Sequence, residues 1–139
     1  MGALMGNAVK VDEILKSYIE VHNDIFKSSI RRVIPLPGFF QAINYENHYN
    51  VLNGLGKELQ IIISDINEND DFAIALKEYS QALYQTIFTL CEICEKMLRK
   101  IQKDSHSYTH QQYKSDLAKY HSFADKYYDL GNKLNQYVS

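Results

Sequence analysis

Residues 71–103 read DFAIALKEYSQALYQTIFTLCEICEKMLRKIQK, and their periodicity decides the fold. Phe72, Leu76, Tyr79, Leu83, Thr86, Leu90, Ile93 and Met97 return at alternating intervals of four and three. That repeat lays one apolar stripe along a single helix, and a stripe sustained this long favours shallow, left-handed packing against neighbours. Asn67-Glu-Asn-Asp-Asp71 in front supplies an N-cap and first-turn acids, which the helix dipole favours. Asp104-Ser-His-Ser-Tyr-Thr109 closes the helix and offers Ser107 or Thr109 as the next cap.

The same spacing extends in both directions. Val11, Ile14, Leu15, Tyr18, Ile19, Ile25, Phe26, Ile30 and Val33 predict a first helix over about 8–33. Ile34-Pro-Leu-Pro-Gly38 ends it, because proline lacks an N–H and disfavours helix in the residue before it. Tyr45, Tyr49, Leu52, Gly56, Leu59, Ile63 and Ile66 predict a second helix over about 40–66. Its ambiguous point is Asn53-Gly54, a common turn dipeptide. Continuity is the preferred reading, with Gly56 admitting a neighbouring helix closely. A break there would give three long helices and a broken second one. Tyr113, Leu117, Tyr120, Ala124, Tyr127, Gly131, Leu134 and Val138 predict the fourth, over about 109–138.

The expected fold is therefore all-α: a single domain over 1–139, built as an elongated antiparallel four-helix bundle. Short connections make successive helices antiparallel, so the topology is up-down-up-down.

Composition narrows the function classes. The chain is 45% hydrophobic and 23% charged, with two prolines and six glycines, which suits long uninterrupted helices. Eleven tyrosines and no tryptophan are a biased aromatic choice that by itself implies no activity. A net charge of −2 gives no global attraction to nucleic acid or anionic membrane. No apolar run is long enough to span a bilayer. The segment Met1–Asn7 is too short and weakly apolar for a signal peptide, and Gly6 stands where a myristoylation signal needs Ser or Thr. Cytoplasmic location is the expectation.

Few residue groups carry catalytic or metal chemistry. Cys91-x2-Cys94-x11-His106-x3-His110 approaches zinc-finger spacing, yet zinc fingers hold their cysteines on a hairpin and these lie inside the best helical pattern. A redox role for Cys91-Glu-Ile-Cys94 would need a helix N-terminus, and the pair sits deep inside the helix. Glu-x-x-His, His-Glu-x-x-His, a phosphate-binding glycine loop and a Gly-x-Ser-x-Gly elbow do not occur. No metal or cofactor is expected. His22, on the apolar face of the first helix, reads as a boundary residue seeking a hydroxyl or backbone partner. Arg99-x6-His106 resembles in spacing the Arg-x4–6-His motif of the HEPN ribonucleases, small all-α dimers. The polar residue that usually follows the arginine is replaced here by Lys100. That resemblance implies, as an alternative function, a dimeric ribonuclease using Arg99 and His106.

Two surfaces remain. Arg31 and Arg32 end the first helix, and Lys96, Arg99, Lys100 and Lys103 end the third, so an up-down-up-down bundle gathers them at one pole with His106 and His110. Asp65, Glu68, Asp70 and Asp71 collect at the other. The helix dipole alone explains most of that placement. Arg31, Arg32, Arg99, Lys100 and Lys103 are nevertheless the candidates for an anionic partner. The third helix is also more apolar than one bundle seam requires, since Tyr84, Ile87, Phe88 and Cys91 continue around its cylinder. Either it is buried on most sides, or this second stripe meets another molecule. Tyr84, Phe88 and Cys91 are thus the candidates for self-contact. The expected function is a non-enzymatic protein–protein interaction module, homodimeric if that stripe is its interface.

Overall fold

The computed structural model describes residues 2–27, 43–103 and 106–137. They form four helices: α1 (Gly2–Lys27), α2 (Tyr45–Asp65), α3 (Asp71–Gln102) and α4 (His110–Asn135). At 32 residues, α3 is about 48 Å long at the usual helical rise. Cross-contacts fix the directions. Asn7 meets Asp65 while Asp24 meets His48, so α1 and α2 are antiparallel. Cys91 meets Tyr49 while Tyr84 meets Gln60, and Lys96 meets Asp116 while Phe72 meets Tyr137, which reverses direction twice more. The result is an antiparallel up-down-up-down four-helix bundle.

Three of the four starts are fixed by a capping side chain. The Asn44 side chain accepts from the Asn47 N–H at 3.0 Å, and Asp70 accepts from Ala73 at 2.8 Å. Thr109, not Ser107, caps α4: its hydroxyl accepts from Gln112, whose side chain accepts in turn from the Thr109 N–H. Two starts, those of α1 and α2, differ from expectation. α1 begins at Gly2 rather than near Ala8, because the seam continues backward through Leu4 and a buried Asn7. That asparagine gives no apolar signal, yet it occupies a seam position and donates to Asp65 at 3.0 Å. α2 begins at Tyr45 rather than near residue 40, since Ile43 and Asn44 are not helical. The Ile34–Gly38 break lies outside the described residues.

The core runs through all four helices but is centred on α3. Leu76, Leu83, Ile87, Leu90 and Cys94 are essentially sealed from solvent, as are Leu52 and Leu59 of α2 and Val11 and Tyr18 of α1. Each fully buried Leu or Ile contributes about 1.5–3 kcal/mol of transfer free energy. Ile87 and Ala82 lie off the predicted stripe and are buried too, so much of the extra apolar surface on α3 is interior. Thr86 and Thr89 tolerate burial by donating their hydroxyls to the Ala82 and Gln85 carbonyls, at 2.9 and 2.7 Å.

Helix α2 is continuous through Asn53-Gly54. A Cβ on Gly56 would lie 3.5 Å from the Tyr84 ring, and one on Gly131 would lie 3.1 Å from the Tyr79 ring. Both glycines therefore sit where an aromatic ring from α3 packs against the neighbouring helix. The tyrosine excess has a similar use. No α-carbon of α1 comes within 8 Å of one in α4 among the described residues, so long side chains must bridge the gap. Tyr18 and Tyr120 hydrogen-bond hydroxyl to hydroxyl, and His22 Nδ1 lies 2.6 Å from the Tyr120 oxygen. Phe26 stacks on the Tyr120 ring at 5.8 Å, and Tyr127 meets Tyr18 edge-on at 6.1 Å.

Candidate interaction face

The antiparallel pairing of α2 and α3 leaves a groove of about 250 Å³ on the outer face. Its floor follows from two small side chains. Gly56 offers no Cβ, and Cys91 lies flat with its thiol directed at the Tyr49 carbonyl, Sγ–O 3.7 Å. Tyr84 forms one wall, half-buried, its hydroxyl accepting from Gln60 Nε2 at 2.9 Å. Phe88 stacks beside it at 5.9 Å and stands 49% exposed. Lys57 rims the α2 side, and Glu92 and Glu95 rim the α3 side.

The three sequence candidates for self-contact thus line one depression in different roles. Phe88 protrudes and Tyr84 is its partly covered neighbour. Cys91, 7% exposed, belongs to the groove floor. Burial pushes its thiol up to about 11, with the Glu95 and Glu92 carboxylates adding to the shift. Burial raises the Cys94 thiol to about 12. Both are free and protonated at neutral pH. That state opposes metal ligation and redox attack, which need thiolate. The two cysteines face the core while His106 and His110 are exposed at the far turn, and no three such donors converge among the described residues.

At the basic pole much of the charge is already neutralised. Lys96 donates to Asp116 at 2.9 Å, and Arg99 donates to Glu95 at 2.5 Å. The buried Tyr108 hydroxyl also donates to Asp116, at 2.6 Å, with Lys96 over its ring. Burial pushes the Asp116 carboxyl up, but the Tyr108 and Lys96 hydrogen bonds outweigh it and hold the group below its usual range. Burial and the hydrogen bond to Asp116 push the Tyr108 phenol well above its ordinary value. A polar cleft of about 330 Å³ opens beside these groups. Lys100 and Lys103 are in no ion pair among the described residues. Arg31 and Arg32 lie outside the described residues.

Sequence reading missed a second depression, about 560 Å³, between α1 and α2. Ile61, 70% exposed, stands on its rim among Lys10, Glu13 and Glu58. Ile61 interrupts no polar stretch, so nothing in the pattern separates it from the buried Ile62. Among the described residues no helix is long and apolar enough to cross a membrane. No protein-family model matches the chain, and no curated protein or solved structure is recognisably similar to it.

Proposed function

We propose that this chain is a non-enzymatic helical-bundle interaction module that docks through the α2/α3 face and takes a second copy of itself as partner. One observation carries the reading: Phe88, in mid-helix and at the centre of a shaped groove, keeps half its surface in water. It is the only phenylalanine so exposed among the described residues. Aromatic side chains seated centrally in a patch supply most of the binding energy in known interfaces. Tyr84, Gly56 and Cys91 give that ring a relief to pack into, and charged side chains form the rim, the anatomy expected of an interface. The paired state of Lys96 and Arg99 favours this face over the basic pole. A cytoplasmic setting accompanies the proposal, since Cys91 and Cys94 stand as free thiols.

Sedimentation velocity over a concentration series tests it. The expected result is a reversible dimer that Phe88→Glu abolishes and Ile61→Glu leaves intact. A wild-type monomer at the highest soluble concentration overturns the reading.

A further inference from the structure

The groove carries its own pairing code. Gly56 and Gln60 on α2 sit level with Tyr84 on α3: a Cβ on the former would lie 3.5 Å from its ring, and the latter is hydrogen-bonded to its hydroxyl. Lys57, adjacent to Gly56, therefore lies at the Tyr84 level, one helical turn to one side of Phe88. Glu92 lies one turn to the other side. At 1.5 Å per residue each is about 6 Å from Phe88 along the bundle axis. Among the described residues neither Lys57 nor Glu92 forms an ion pair, whereas Glu95 is engaged by Arg99.

A positive and a negative charge placed at equal distances on either side of an exposed aromatic ring form a self-complementary set. A two-fold interface repeats every contact, so residue i meeting j requires j to meet i. An axis lying in the contact plane, perpendicular to the helices and level with Phe88, brings Lys57 of each copy to the level of Glu92 of the other. The long lysine side chain spans the lateral gap, and the two Phe88 rings meet beside the axis. We infer that the partner is an antiparallel second copy in this register, clasped by two symmetric Lys57–Glu92 pairs around Phe88. This rests on the α2/α3 face being the docking surface and goes beyond it in fixing orientation and specificity. A parallel arrangement would set Lys57 beside Lys57 and Glu92 beside Glu92, so the charges select against it.

Charge reversal on the full chain tests the register. Alone, Lys57→Glu places four carboxylates at the interface and Glu92→Lys places four ammonium groups there. Because each altered contact occurs twice, each single variant should dimerise about tenfold more weakly than wild type. In an equimolar mixture of the two variants, one copy carries acids at both positions and the other carries bases at both, so both contacts become complementary again. The mixture should therefore form a heterodimer with near wild-type affinity, and so should the homodimer of the double variant Lys57→Glu/Glu92→Lys. Lys57 is exposed and Glu92 partly exposed, and recovery in the mixture also reports that each variant is folded. If neither reversal weakens dimerisation, or the mixture and the double variant stay weak, the register is wrong. In that case loss of dimer in Phe88→Glu still upholds the docking face. A wild-type monomer removes both.

Discussion

Tyr120→Phe is the sharpest probe of how α4 is attached. The substitution keeps the ring, its stacking on Phe26 and its volume, and removes only the hydroxyl that hydrogen-bonds with Tyr18 and His22 Nδ1. Tyr120 is fully sealed and Tyr18 is 2% exposed, so water cannot replace the lost partner at Tyr18. His22 is only half-buried and recovers part of its loss. Breaking the buried bond, which leaves the Tyr18 hydroxyl only Tyr127 as partner, and loosening one partly exposed imidazole costs about 2 kcal/mol. With an unfolding entropy of about 2.1 cal/mol/K per residue, a chain of 139 residues then loses about 7 °C in Tm. Tyr18→Phe leaves Tyr120 held by His22 and should cost about half as much. The double variant should fall short of the sum by about 0.5 kcal/mol or more, because both singles break the same bond. Urea denaturation followed by circular dichroism measures all three. A Tyr120→Phe cost under about 0.5 kcal/mol, or full additivity, refutes the idea that these hydroxyls bridge α1 to α4.

Gly54→Ala should stabilise the chain by about 0.5–1 kcal/mol in a thermal melt, since a Cβ there meets nothing within 4 Å and alanine is the better helix former; destabilisation would mean that α2 turns at Asn53-Gly54. Ser80→Ala should also be neutral or stabilising, up to about 1 kcal/mol, because the buried Ser80 hydroxyl has no partner among the described residues. Stability should be flat near neutrality and fall at alkaline pH. Burial holds the Tyr18, Tyr79 and Tyr120 phenols above the ordinary value of 10.0, and the Cys91 and Cys94 thiols at about 11 and about 12 against an ordinary 9.0. These groups favour folding while the folded chain keeps its protons, and the whole class is protonated in both states below about pH 9. Above that pH the unfolded chain loses protons first, so stability falls as pH rises toward the raised values. Melts across that range, with phenolate absorbance recorded alongside, check it; phenolate appearing before unfolding would contradict the sealed core.

The fold is legible because it rests on a period. Spacing alone assigns Leu76, Leu83, Leu90 and Leu52 to the interior, and all are sealed. Gly56 and Gly131 are readable as seam positions for the same reason. Asn7 and His48 are not, since their burial depends on partners elsewhere in the chain, Asp65 and Asp24. Hydropathy cannot register such pairings. The candidate face is half legible. An excess of apolar surface on the third helix points to Tyr84, Phe88 and Cys91, yet periodicity does not say which neighbour covers which side. Packing against α2 buries Cys91, and packing throughout the bundle buries Ile87, leaving Phe88 in water. The charge rim is invisible from sequence because Lys57 and Glu92 are brought to one groove by the antiparallel register of two helices. His22 is expected to find a hydroxyl or backbone partner, and the Tyr120 hydroxyl is one it finds.

The most direct measurement is the backbone amide NMR spectrum recorded from dilute to concentrated protein. Self-docking through the groove predicts shifts that grow with concentration and cluster at Lys57, Gln60, Tyr84, Phe88 and Glu92. A spectrum unchanged by concentration, or changes gathered instead around Ile61 or Arg99, would contradict it.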